Sequence, residues 1–350
     1  MSAFVRNCWY VAAHATECTA KPLSRRILGE RVVLFRAPDG QASALEDKCC
    51  HRLAPLSMGD VEADGIRCRY HGMKFAPSGR CIEIPGQEEI GPQLRVRSYP
   101  LVERHGLLWI WMGEAALADE AQIVDCHWHT DPAWTTTHGY IHYRAGFQLI
   151  ADNLLDFSHL TFVHRTTLAN SAFPDARPQI ESFERGIRLT REVRNTEPSP
   201  LHKMAGRFDC NVDFWNRQVW WVPGIFENWA GSVATGGEGP AHERPGGFHL
   251  RHFSLLTPET ENSTHYFWIQ PCRFPRPDPE LIHKVKQGID TAFDEDRQII
   301  EAQQQVMNEH PEARPKGIAA DRALNIVRQM NQRLLRLEAH TTDPTTEACA

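Results

Sequence analysis

Two short segments of the 350-residue chain carry ligand-type side chains at matched intervals. Asp47-Lys-Cys49-Cys50-His51 is followed, after sixteen residues, by Cys68-Arg-Tyr-His71-Gly72, a C-x-H and then a C-x-x-H. Each segment offers one thiolate and one imidazole on a tight loop, and two such loops facing each other can hold a metal centre. A structural zinc site also uses two Cys and two His, but its usual spacing pairs Cys with Cys and His with His on separate elements. Here each loop mixes the two ligand types. That mix suits a two-iron, two-sulfide cluster in which one iron takes both thiolates and the other both imidazoles, with a raised reduction potential. The bland alternative is four unrelated core residues. Pro55 and Gly72 supply turns beside the ligands and Gly79 closes a hairpin after the second loop, while Cys50 and Cys81 have no partner spacing and read as non-ligating.

A second set lies in Asp152-Asn153-Leu-Leu-Asp156-Phe-Ser-His159-Leu-Thr-Phe-Val-His164. Asp156 and His159 are three apart and share a helix face. His159 and His164 are five apart, about 140° on a regular helix, so they can share one metal only if the helix ends or bulges between them. Two imidazoles and one carboxylate on one side of an iron leave positions open for oxygen. Asp156 could ligate or merely orient a ligand. A second carboxylate comes from Gly288–Ile300, where Ile289, Ala292, Phe293 and Ile300 form an apolar stripe with Asp296 in its middle. A carboxylate there is costly without a partner or a metal, so Asp296 is the third candidate ligand. Asp290, Asp294 and Glu295 fall off the stripe and read as solvated. Cys126-His127-Trp-His129 is a competing ligand source, but no carboxylate is near in sequence, and it reads as structural.

The elements that must position these residues follow from periodicity. Residues 31–36 and 42–46 flank Pro38-Asp39-Gly40 as a β-hairpin, and residues 107–112 are strongly β-prone. Residues 114–122 read as a connector or short helix. A second domain starts near Val124, with β-like residues around 134–143, helical spacing over 147–160, strands from about 178 to 273, and helices over 278–308 and 322–337. The expected class is α+β: an antiparallel β domain over 1–120, an α+β domain with an antiparallel sheet flanked by helices over 121–340, and a disordered tail at 341–350. The formal charge is 38 − 44 = −6, which lacks the dense basic face of a nucleic-acid or anionic-membrane binder. No apolar run approaches the roughly 18 residues of a membrane span. The start of the chain has no secretion-signal layout and the ten cysteines suggest no disulfide framework, so a cytoplasmic protein is expected.

Taken together the motifs resemble the oxygenase component of Rieske non-haem iron aromatic oxygenases, in the group of vanillate O-demethylase and dicamba monooxygenase. The likeness runs from Trp9-Tyr10-Val11 to about Leu337 and is carried by the two ligand motifs, by Asn7–Ala12, Asp152–His164, Leu256–Glu261 and Phe293–Asp296. It implies that Cys49, His51, Cys68 and His71 hold a [2Fe-2S] cluster in the first domain, and that His159, His164 and Asp296 hold a mononuclear Fe(II) in the catalytic domain. Asp156 looks like the family's bridging acid, accepting hydrogen bonds from His159 and from a neighbouring subunit's cluster histidine in a ring-shaped homotrimer. Asn153 matches a catalytic residue near the iron. Cys50 stands where the family usually has Pro, and Met73 where it commonly has Trp.

The resemblance implies a monooxygenase that uses O2 and electrons from a separate NAD(P)H-dependent reductase. The chain itself has no G-x-G-x-x-G after a strand. O-demethylation of a methoxylated aromatic acid, with release of formaldehyde, is the expected outcome; the alternatives are aryl-methyl hydroxylation, ring dihydroxylation, or a different class altogether, an electron carrier or a zinc-stabilised binding module. The pocket is expected between about Val212 and Trp268, with Trp215 bounding the ring and Arg251 or His252 pairing with a substrate carboxylate.

Overall fold

The computed structural model describes residues 4–164, 178–276 and 278–341. It divides into two compact units, 1–125 with 257–260, and 126–256 with 261–350. The second unit begins at Cys126 and is not contiguous. Residues Thr257–Thr260 belong to the first unit because the amides of Leu28 and Gly29 donate to the carbonyls of Pro258 and Glu259, and Thr257 Oγ1 donates to the Val11 carbonyl at 2.7 Å. Apart from Thr341, the expected tail lies outside the described residues.

The first unit is all antiparallel β. Its strands are β1 (Trp9–His14), β2 (Leu23–Ile27), β3 (Glu30–Arg36), β4 (Ala42–Glu46), β5 (Asp60–Glu62), β6 (Gly65–Arg67), β7 (Lys74–Phe75), β8 (Cys81–Glu83), β9 (Ser98–Tyr99), β10 (Leu101–Arg104) and β11 (Leu107–Trp111). They form three sheets, β1-β11-β10, β2-β3-β4-β9 and β5-β6-β7-β8. The β3–β4 hairpin pairs Val32 with Glu46 and Arg36 with Ala42 around the expected turn, where Gly40 takes φ +89°. The Cys49 loop leaves β4 and the Cys68 loop joins β6 to β7, so both ligand segments are held by hydrogen-bonded strands.

The second unit is a seven-stranded sheet covered by helices. Its elements are β12 (Thr135–Tyr143), α1 (Phe147–Leu155), α2 (Leu160–Val163), β13 (Gln179–Phe183), β14 (Gly186–Thr196), α3 (Pro200–Gly206), β15 (Val212–Trp221), β16 (Ile225–Ala234), β17 (Phe248–Thr260), β18 (Ser263–Arg273), α4 (Pro279–Glu309) and α5 (Arg322–Thr341). The strand order is β12-β18-β17-β16-β15-β14-β13. Strand side chains alternate between faces. On one face Leu189, Trp220, Phe226, Tyr266 and Trp268 pack against Ile150 and Leu155 of α1, Ile300 of α4 and Leu324 and Val327 of α5. Asp278 caps α4 by accepting from the Leu281 amide at 2.8 Å, with Pro279 in the first turn. The buried stripe of α4 is Leu281, Val285, Ile289, Ala292, Asp296, Ile300 and Gln304, with the carboxylate inside it as the wheel predicts. Helix α3 interrupts a stretch whose text is strand-like; its signal is Ser199-Pro200, an N-cap followed by a first-turn proline.

Candidate functional site

In the first unit the two ligand loops are built alike. The Cys49 amide donates to the Ala54 carbonyl and the Leu53 amide back to the Cys49 carbonyl; the Cys68 amide donates to Met73 and the Gly72 amide back to Cys68. Each loop needs a left-handed residue at its fifth position, met by Leu53 at φ +61° and Gly72 at φ +76°. Cys49 and Cys68 are buried among Val33, Phe35, Leu45, Leu56, Ile66 and Phe75. Burial, reinforced by the adjoining Cys68 thiol, pushes the Cys49 thiol up to about 11, so it ionises only where a cation holds the thiolate. The imidazoles of His51 and His71 lie side by side, ring centroids 4.6 Å apart, and are exposed to solvent. Around one tetrahedral ion every pair of donor atoms would lie about 3–4 Å apart. No three of these four side chains gather their donors within 4.8 Å of one another. The separation into a thiol pair and an imidazole pair fits a two-iron cluster and not a single zinc.

The second constellation converges. His159, His164 and Asp296 place their ligand atoms within 4.8 Å of one another, and among the described residues they are the one set of three that does so. Helix α1 ends at Asp156, whose φ −118° and ψ 99° are extended; a 3-10 turn then carries His159, and the single turn of α2 ends at His164. The required helix break is therefore present. His159 Nε2 and His164 Nε2 lie 3.6 Å and 3.2 Å from Asp296 Oδ1. Their Nδ1 atoms are engaged elsewhere, with the Asp156 carbonyl and, at 2.8 Å, with Glu295 Oε2. With Nδ1–H donating to these acceptors, both Nε2 lone pairs face the carboxylate, the tautomer a metal ligand needs. Asn153 Nδ2 donates to Asp296 Oδ1 at 2.9 Å and so orients the third ligand. Burial opposes charge on His164, but the Asp296 and Glu295 carboxylates outweigh it and raise its pKa, the same negative field that would hold a cation. The donor set and its geometry fit a mononuclear iron.

Two readings are corrected here. Glu295 is not simply solvated: its carboxylate is the acceptor that orients His164, and the off-stripe position gave no sign of it. The Asp156 carboxylate does not accept from His159 in the single chain; it accepts from Ser158 N and Oγ at 2.8 and 2.9 Å, and the Asp156 carbonyl faces His159 instead. His127–His129 form a 3-10 turn capped by Cys126, with His129 Nδ1 at 2.7 Å from Thr136 Oγ1, and the structural reading of this segment stays in place.

The triad opens into a cavity in the second unit. Its walls include Leu154, Phe157, Leu160, Phe226, Leu250 and Phe293, so it is predominantly apolar. Besides the triad and Asn153, its polar groups are Asn216, Asn228, His202, His252, Ser199 and Gln270, and Asn216 Nδ2 donates to Asn228 Oδ1 at 2.6 Å. Strand alternation sorts the expected substrate residues. Inner positions 214 and 216 of β15 and 250 and 252 of β17 reach the cavity, so His252 lines it. Arg251 and Trp215 point to the opposite face of the sheet. There Arg251 pairs with Glu227, its guanidinium 3.5 Å from the Trp128 ring centroid and 4.5 Å from that of Trp229. Trp215 packs on His249 in the same outer cluster. Neither serves the cavity. His202 on α3 was missed, because its helix was not foreseen.

Comparison with known proteins agrees with this geometry. The family model of the Rieske [2Fe-2S] domain matches residues 8–100, and that of the vanillate O-demethylase oxygenase C-terminal domain matches 143–337. An iron-sulfur subunit ascribed to a toluene-4-sulfonate monooxygenase system of Comamonas testosteroni is 50% identical over 97% of this chain and 99% of its own length. The oxygenase component of dicamba O-demethylase from Stenotrophomonas maltophilia is 36% identical over 96% of this chain and 99% of its own. The crystal structure of dicamba monooxygenase bound to 3,6-dichlorosalicylic acid superposes with a TM-score of 0.90 at 35% identity, covering 96% of this chain and 99% of that one. The chain belongs to the Rieske non-haem iron oxygenases as a monooxygenase oxygenase component, with a [2Fe-2S] cluster and a mononuclear iron as its cofactors.

Proposed function

We propose that this oxygenase O-demethylates a methoxylated aromatic acid of the vanillate type, with His159, His164 and Asp296 holding the iron and Cys49, His51, Cys68 and His71 the cluster. The observation that carries it is that the triad lines one wall of an apolar, aromatic-walled cavity. Bound Fe(II) would supply the open positions at which O2 is activated, with electrons delivered through the cluster. Phe157, Phe226 and Phe293 would hold the ring, and Asn153 and Glu295 would keep the ligands aimed. In balance, ArOCH3, O2, two electrons and two protons yield ArOH, formaldehyde and water. The electrons would come from a separate NAD(P)H-dependent reductase, in the cytoplasm.

Aryl-methyl hydroxylation is the second reading, favoured by the relative named for toluene-4-sulfonate, a molecule with a methyl and no methoxy group. Turnover of the reconstituted system with 4-methoxybenzoate and with 4-methylbenzoate separates the two. Formaldehyde in step with O2 consumption is expected from the first. A hydroxymethyl product from the second, with no formaldehyde from the first, would replace demethylation by methyl hydroxylation.

Assembly as a homotrimer belongs to the same reading. His51 and His71 are exposed, with Leu53 and Tyr70, 64% and 62% exposed, beside them. An apolar rim around solvent-facing ligands suits docking against another protein surface. The half-buried Asp156 carboxylate would receive a partner's cluster imidazole.

A further inference from the structure

Besides His159 and His164 of the triad, two histidines line the cavity, and their nitrogens are spent differently. His252 has both ring nitrogens engaged, Nδ1 at 3.2 Å from Gln270 Oε1 and Nε2 at 3.0 Å from Ser254 Oγ. His202 has one: Nδ1 lies 2.5 Å from Ser232 Oγ. Ser232 is fully buried, and among the described residues its hydroxyl has no other side-chain partner. If Nδ1 donated to Ser232, the hydroxyl proton would be stranded in the core. The consistent assignment has Ser232 donating to Nδ1, which puts the ring proton on Nε2. His202 is only 6% exposed and lines the cavity, so this Nε2–H is a donor that, among the described residues, has no protein acceptor and is left to the cavity.

Position adds direction. Asp296 and Ile289 line the cavity seven residues apart on α4, about 10 Å along the helix. The inner face of β16 runs from Phe226, which packs on Phe157 beside His159, to Ser232, six residues or roughly 20 Å away. His202 stands at the Ser232 end, away from the triad. No Lys or Arg is among the described residues of the cavity wall, so an anionic head there would be met by neutral N–H dipoles. Burial pushes His202 down to about 4, so it donates as a neutral imidazole.

We infer that His202 Nε2–H binds an acidic oxygen, carboxylate or sulfonate, on the side of the aromatic ring away from the carbon that is oxidised. This rests on the aromatic-acid reading above and names the group that recognises the acid. Ser232 acts through His202, as the positioning residue that holds its tautomer.

The test is calorimetric binding to the iron-loaded oxygenase of 4-methoxybenzoate, 4-methoxybenzenesulfonate and 4-methoxytoluene, which lacks the acid. The preference for either acid over 4-methoxytoluene, as a ratio of Kd values, should fall about tenfold or more in His202→Leu. His202→Gln, which keeps a donor at similar reach, should recover much of it. Ser232→Ala keeps the imidazole but frees its tautomer, and should lower the ratio several-fold even if the His202 variants fold poorly. A ratio unchanged in Ser232→Ala and in whichever His202 variant folds overturns the inference alone, since the wild type still binds the acids. A wild type that binds neither acid overturns both this and the aromatic-acid reading. Preference for only one of the acids supports the inference and decides between carboxylate and sulfonate.

Discussion

At the cluster loops the thiols are buried and the imidazoles stand in solvent, whereas at the triad His164 and Asp296 are buried and the ligand atoms open only into a cavity. The two regions use the same side-chain types for opposite ends. An electron-transfer centre needs an edge that another protein can approach, and His51 and His71 are presented, exposed, on short loops. A centre that activates oxygen must keep bulk water off the iron, so two of its proposed ligands come from a broken helix and the third from the middle of α4, folded over a sheet. Orientation differs accordingly. The cluster loops are held by backbone hydrogen bonds, while the triad depends on other side chains, Glu295 on His164 and Asn153 on Asp296.

This contrast can be broken at either centre. Cys68→Ala should remove the cluster, dropping iron from about three to about one per chain and abolishing turnover, while the triad keeps its iron. Loss of the cluster and the mononuclear iron together would mean the centres do not fold independently. Asp156→Asn should leave both metals bound and slow turnover severely, because it alters only the group proposed to couple them across subunits; unchanged turnover with full metal content would remove that role. Glu295→Ala should weaken mononuclear iron binding by about 10–100-fold, with the cluster's visible spectrum intact. A competitive chelator titration reads that effect, and an unaltered affinity would show that His164 needs no carboxylate behind it.

Part of the pH response belongs to the cavity side, the outer His249 being held down to about 4 as well. Burial holds His202 and His252 down to about 4, against roughly 6.5 in an unfolded chain. The unfolded state therefore takes up these protons first as pH falls, and stability should decline between pH 6.5 and 4 by an amount on the order of a few kcal/mol. Denaturant midpoints for the wild type and His252→Gln across that window would show the His252 share; parallel curves would mean that this imidazole takes up its proton as readily in the fold as in the unfolded chain. The smallest expected effect is at Leu53, where Gly72 stands in the sister loop. Leu53→Gly relieves a left-handed conformation at a cost of about 1 kcal/mol to a side chain, and should stabilise the isolated subunit slightly. If it also weakens subunit association, the exposed leucine is part of the docking rim.

Much of both centres was legible from spacing alone. C-x-H and C-x-x-H named the four residues proposed for the first, because tight loops keep candidate ligands local in sequence. Asp296 was legible for a different reason, as a carboxylate inside an apolar stripe. Glu295 was not, since periodicity sees burial and not the reach of a long side chain past its helix edge. Arg251 and Trp215 failed by one residue each: composition marks a strand as pocket-forming, but the face is set by register, and a shift of one position reverses it. His202 was hidden in a seven-residue helix too short to show a period, although Ser199-Pro200 marked its start.

The chain by itself determined the chemistry, two thiolates and two imidazoles in paired loops, and two imidazoles with a carboxylate at a broken helix. Those choices depend on local spacing and on the cost of burying charge, both readable one residue at a time. What only the tertiary structure decided is who orients the ligands and who faces the cavity. His164 with Glu295, Asp296 with Asn153, and His202 with Ser232 are pairs 131, 143 and 30 residues apart. Nothing local links such partners, because hydrogen-bond geometry and the inner face of a sheet exist only once distant strands and helices have packed.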